Sequence, residues 1–332
     1  MPADAAAALR HVAPPLPLRA VWGIGAVLAL ACVAFMTLGL SGRIGFILEL
    51  RAVKLAALLV VGGGIGTATV LFQTVAANRI LTPGILGFDA LFLFIQTALV
   101  MMLGGIGFAS LATGAKFLIE TGVMMVAAAA LFGLLFRSRG SDLSRMLLTG
   151  VIIGVLLRSL AGLMQRLMDP SEFAVVQSAM FASFNSVDRT NLAIAAALFA
   201  VILPLAQAMA GRLDVMALGR RNALGLGLDH DRAVLGVLAL VAALTACATA
   251  LVGPISFLGL LAASLAHRLT GTHRHAVLIP AAAMLGAPGI DAWSAVPVGT
   301  GIDPVAVQGL PVGKPRNATW PDRTRGNRAL NA

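Results

Sequence analysis

Three histidines, His267, His273 and His275, stand close together at the end of an apolar run, so a metal site is the first chemistry to weigh. A His-x-His pair with one more His upstream does not supply a tetrahedral ligand set, and no cysteine or acid stands near it. With Arg268 and Arg274 the cluster reads instead as a basic loop where the chain leaves a bilayer. Arg158 lies alone in the middle of another apolar run. A charge at that depth is costly and faces a bundle interior or water, so it either lines a path for an anionic cargo or pairs with a carbonyl or an acid. Gln73 can touch a cargo or hydrogen-bond a neighbouring helix, and the second reading is the simpler. Asp89 and Glu120 fall near the ends of apolar runs, where placement at the membrane interface accounts for them. No GxxxxGK[ST] loop, GxSxG turn or HExxH pair occurs, so the residues offer neither a phosphate cradle of that type nor a hydrolase site. An ion-coupled secondary transporter would need intramembrane acids, which the apolar runs almost lack.

Composition dictates the elements that must position these residues. Hydrophobic residues are 59% of the 332 and charged residues 11%, with a mean hydropathy of +0.93. A soluble domain carries about 25% charged residues, so this chain cannot coat a globule and reads as an all-α polytopic membrane protein. Apolar runs lie near 20–41, 55–75, 86–104, 116–136, 145–166, 190–210, 233–252 and 256–268, and another begins at 276. That predicts about eight complete spans, the eighth short, plus part of a ninth. The run Val21–Thr37 reads as a retained helix, because no small-residue cleavage site follows it. Gly62, Gly63, Gly64 and Gly66 crowd one span, as expected where helices approach closely in lipid. Cys32 and Cys247 both lie in apolar runs and behave there as small hydrophobes.

The net charge of +10 sits in short loops. Arg10 and Arg19, then Arg137, Arg139 and Arg145, then Arg212, Arg220, Arg221 and Arg232, and finally Arg268 and Arg274 all fall on one side if the N-terminus is cytoplasmic. The loop with Asp169, Glu172 and Asp188 then lies outside. Nucleic acid is excluded, because no basic stripe with stacking aromatics exists. One loop breaks the charge rule: Arg43, Arg51 and Lys54 lie between spans one and two, on the outer side. They are either tolerated or wait for an acidic partner outside the membrane.

From Pro288 onward the chain turns rich in Pro, Gly and Arg, just after the run LIPAAAMLGA has begun a ninth span. Such a segment neither spans lipid nor packs. Residues 288–332 are therefore expected to be a disordered tail, and the abrupt onset reads as a shifted reading frame.

Three segments together resemble the FecCD or BtuC-like family, the permease subunits of iron-siderophore and cobalamin importers. In Arg51–Gly87 the residues Arg51, Lys54, Gly62, Gln73, Asn78, Pro83 and Gly87 fit the family pattern, with Val53 in place of the usual Pro and Lys54 in place of the usual Arg. In Leu213–Asp229, Leu218-Gly219, Ala223 and Leu226-Gly227 match the family's cytoplasmic loop. The third is Gly253, Pro254, Ile255, Phe257, Gly259 and Leu260, followed by Ala263-Ser264 where Pro-His is usual. The wording TVLFQT with NRILTP looks closer to the ferric-siderophore branch.

The resemblance implies a BtuC-like bundle over residues 20–287, preceded by a cytoplasmic segment, 1–19. The family has ten spans, so the shifted tail puts transport at risk and leaves an inactive truncated permease as an alternative. It also implies an inner-membrane permease that moves a ferric siderophore from a periplasmic binding protein between two permease subunits, identical or related. No cofactor is expected on this chain, since ATP is hydrolysed by a separate ATPase dimer. ATPase coupling falls to the loop 213–229, with Leu213, Val215, Met216 and Leu218 as an apolar face and Gly219, Ala223, Leu226 and Gly227 shaping it. Arg51 and Lys54 would dock the binding protein by opposite charge, although Lys54 lacks the flat fork of an arginine. Gln73 and Arg158 are the candidates for the translocation path.

Overall fold

In the computed structural model the described residues are 18–38, 44–110, 113–137, 143–184 and 187–287, so the expectations for residues 1–17 and for the tail from Pro288 lie outside them, while Leu18 and Arg19 open the first helix. The chain runs through α1 (Leu18–Thr37), α2 (Ile44–Val75), a π-helical turn (Gly84–Phe88), α3 (Asp89–Ser110), α4 (Thr113–Arg137), α5 (Leu143–Leu167), α6 (Pro170–Ala179), α7 (Arg189–Ala208), α8 (Ala210–Met216), α9 (Arg220–Gly225), α10 (His230–Val252), α11 (Leu258–Thr270) and α12 (His275–Gly286). Seven of these, α1 to α5, α7 and α10, include stretches long and apolar enough to cross a membrane. The expected eighth span is the 13-residue α11, about 20 Å of helix, which is short of a hydrocarbon core of about 30 Å. Gly253, at φ +96°, ends α10, and Pro254 keeps the next residues out of that helix.

Helix α2 is the axis of the bundle. Its 32 residues are nearly all apolar, and every residue from Val61 to Gln73 is buried. Helices α7, α10, α11 and α12 pack around it. The glycines make this approach possible. A Cβ at Gly62 would stand 2.5 Å from the Gly286 backbone, and one at Gly64 would enter the Phe199 ring. Lipid tails are as apolar as leucine, so association here depends on close van der Waals fit more than on a hydrophobic drive. Helices α1 and α5, by contrast, expose most of their apolar side chains, among them Trp22, Leu30, Leu148, Ile152 and Leu156.

Two expectations change. Helix α2 begins at Ile44, so Arg51 and Lys54 lie inside it and not in a loop; the apolar stretch Ile44–Leu48 continues the apolar run and lengthens the helix at its N-terminal end. Asp89 and Glu120 are turned into the bundle. Glu120 is buried, and Asp89 turns inward to a hydrogen bond from the Ser256 hydroxyl. The kink at Gly87, φ +98°, fits close against Gly154 of α5 and aims the start of α3 into the bundle.

Candidate functional site

The loop 213–229 folds as two short helices after α7. Helix α8 starts at Ala210 after a break at Met209, and its last turn is closed by the Leu218 and Gly219 N–H groups, which donate to the Val215 and Met216 carbonyls at 3.2 and 3.0 Å. Gly219 then takes φ +88°, which an L side chain adopts only with strain, and redirects the chain into α9. Helix α9 ends in a Schellman turn: Leu228 N–H donates to the Ala223 carbonyl across Gly227, which has φ +81°. Asp229 then accepts the Arg232 N–H at the start of α10. An ion pair between Arg220 and Asp231, 3.2 Å, joins α9 to α10.

The apolar face expected on this loop divides in two. Leu213 is 0% exposed and Met216 4%, so both are spent on the chain's own core, and Ala223 is buried with them. Leu218, Leu224 and Leu226 are 56%, 47% and 64% exposed, beside the exposed Arg212, Arg220 and Arg221. Leu224 was not singled out in the sequence; its place two residues from Leu226 on either side of Gly225 was the available signal. With buried anchors on one side and projecting leucines on the other, the loop is a lever-shaped arm with an apolar tip.

The lever is fixed at its root. Asp214 of α8 accepts two hydrogen bonds from His275, the first residue of α12. The other ring nitrogen, Nε2, lies 2.7 Å from the hydroxyl of Thr74, at the end of α2. His275 is thus a buried link and not part of a loose basic loop, whereas His273 stays exposed, 3.2 Å from the Arg79 guanidinium.

The remaining predicted residues are dispersed. Gln73 is buried, and its Nε2 donates to the Arg79 carbonyl at 2.6 Å, bracing the turn after α2. Arg158 is exposed on α5, among the exposed Val155, Leu156 and Leu160. Arg51 donates through Nη1 to the Phe35 and Leu38 carbonyls at 2.8 and 2.6 Å, closing the end of α1, and its guanidinium lies 5.9 Å from the centre of the Phe35 ring. Lys54 follows one turn further along α2 and is half-buried. Arg189 and Glu49, 2.7 Å apart, pair the starts of α7 and α2.

Comparison with known proteins places this architecture. Residues 33–290 match the FecCD transport family. The chain is 38% identical over 252 residues to the petrobactin import system permease protein YclO of Bacillus subtilis (strain 168), covering 76% of this chain and 80% of that protein. It is 32% identical over 240 residues to the petrobactin import system permease protein FatC of Bacillus anthracis, covering 72% and 68%. It is also 32% identical over 251 residues to the iron(3+)-hydroxamate import system permease protein FhuG of Bacillus subtilis (strain 168), covering 72% and 71%. Among solved structures, a metal-chelate type ABC transporter in an inward-facing conformation shares the fold, with a TM-score of 0.73 at 22% identity, covering 89% of this chain and 95% of that one.

Proposed function

The chain belongs to the FecCD transport family, and on that premise we propose that it is the membrane-spanning permease subunit of a bacterial ABC importer for ferric siderophores. The observation that carries the reading is the rooted lever on residues 213–229, whose tip, Leu218, Leu224 and Leu226, is exposed among the described residues. A separate ATPase dimer takes that tip in a groove and moves it as it closes on ATP. This chain binds no cofactor of its own. A second permease subunit covers the exposed face of α5, so that Arg158 lies along the path between the two and attracts the anionic chelate. The siderophore-binding protein docks on the opposite side, at the start of α2, where Lys54 offers a positive charge. That arrangement puts the loop 213–229 in the cytoplasm of an inner-membrane protein.

The relatives that transport petrobactin make it the first chelate to try. The full chain is reconstituted in proteoliposomes with its partner permease, ATPase and binding protein, and uptake of radioactive iron as the chelate is followed. ATP-dependent uptake that needs the binding protein supports the reading. Uptake driven by an ion gradient without ATP refutes it. ATPase binding without any uptake assigns the chain to an inactive permease.

A further inference from the structure

Inside the bundle lies a cavity of about 20 Å³, walled by Thr69 of α2, Thr82 and Gly84 after it, Asp89 of α3, Thr245 and Thr249 of α10, and Ser256 before α11. That volume admits about one water-sized ligand. One wall is a carboxylate and five are hydroxyl-bearing residues, with Ile65, Ala68, Pro83 and Ile255 completing the lining.

The direction of the hydrogen bonds decides what fits. Thr69 donates its proton to the Ile65 carbonyl at 2.8 Å, and Thr245 donates to the Val241 carbonyl at 2.8 Å. Ser256 donates to Oδ2 of Asp89. Three hydroxyls have therefore given away their protons, and what they can turn to the cavity is lone pairs. Thr82 is 2% exposed, and its hydroxyl has no hydrogen-bond partner. A buried polar atom without a partner is costly, and a buried carboxylate more so. Arg158 acts on Asp89 through space, but it is exposed on α5 and does not line the cavity.

We propose that this cavity is a binding site for one monovalent cation of sodium size, held by Asp89, Ser256 and Thr82 with the Thr69, Thr245 and Thr249 hydroxyls around it. Hard oxygen donors suit an alkali or alkaline-earth ion and not a soft metal. A single carboxylate balances one positive charge, and a divalent ion would leave an uncompensated charge in low dielectric. An anion is repelled by Asp89. A lone water has two protons to offer to more acceptors than that. The cation ties α2, α3, α10 and the segment before α11 at one point, so it is a clamp on the bundle. The site is independent of what the chain transports.

The test uses the purified full chain in detergent. Its thermal unfolding is followed in sodium chloride and in choline chloride at equal ionic strength, and radioactive sodium binding is measured alongside. Sodium should raise the midpoint saturably by at least about 2 °C over choline, with about one ion bound per chain. Asp89→Asn, close in shape, should lose the sodium-specific increment. Thr82→Val should weaken sodium binding about tenfold, and it decides the matter if Asp89→Asn does not fold. Equal midpoints in the two salts with no sodium bound would mean that the cavity holds only water, which overturns the proposal. A sodium effect unchanged in the variants that fold places the ion elsewhere and overturns it equally.

Discussion

His275 donates both its backbone N–H and its ring Nδ1–H to one oxygen, Oδ1 of Asp214, at 2.8 and 2.6 Å. The two residues are 61 apart in the chain. The contact fastens α8, which carries the exposed lever, to the first turn of α12, and through the Thr74 hydroxyl to the end of α2. The loop is therefore joined to the central helix by a short polar linkage and not only by apolar contact, which can slide.

Asp214→Ala removes the acceptor and leaves two His275 donors without a partner. Hydrogen bonds to a charged group are worth about 1.5–3 kcal/mol, so the unfolding midpoint of the permease should fall. The projecting leucines are untouched, so the ATPase should still co-purify while uptake per ATP hydrolysed drops. If uptake per ATP is unchanged, the linkage does not transmit the stroke.

Leu218→Asp and Leu226→Asp should separate the permease from its ATPase without unfolding it, because both side chains are exposed. Leu213→Ala should do the reverse, costing about 2–5 kcal/mol of fold stability as a buried leucine truncated in a packed site. Pull-down of the ATPase, read beside a thermal melt of the permease alone, distinguishes the two classes.

Gly62→Val places a branched side chain where even a Cβ stands 2.5 Å from the Gly286 backbone. The helices α2 and α12 must part, and because packing in lipid depends on close approach, the variant should be recovered poorly from membranes. Gly23→Ala, where a Cβ meets nothing within 4 Å, is the matched control and should be neutral. Yield of monodisperse protein on size exclusion is the readout.

Arg158→Ala should lower ferric-siderophore uptake while leaving the ATPase complex and its basal hydrolysis intact, since the side chain is exposed on α5 and reaches the interior only through its charge on Asp89. Arg158→Lys should recover part of the uptake by restoring the charge without the planar fork. An unchanged KM for the chelate-loaded binding protein together with unchanged uptake in Arg158→Ala would remove the residue from the path.

Lys54→Glu should slow association of the binding protein by about tenfold at low salt, with a smaller difference at high salt, because the interaction is electrostatic steering. Arg51→Glu is a poorer probe. Its guanidinium also holds the end of α1, so that variant should loosen the helix pair as well. Stopped-flow association at two ionic strengths gives the comparison.

Composition and periodicity alone determined that this chain is a helical membrane protein, because 11% charged residues cannot clothe a soluble globule and apolar runs near 20 residues satisfy their backbone only as helices. The glycines of α2 announced close packing, and three ordered motifs announced the family. What sequence order could not supply was facing. Leu213 and Leu218 have the same chemistry and lie five residues apart, yet one is sealed in the core and the other projects, because α8 ends at Met216 between them and neighbouring α2 and α12 cover one side only. Asp89 reads in the sequence only as an acid near the end of an apolar run; the kink at Gly87 and the crossing of distant helices bring it to Ser256, far along the chain. Pairs such as Asp214 with His275 and Asp89 with Ser256 depend on how distant helices cross, and that crossing is set by the summed fit of many side chains, which no local pattern records.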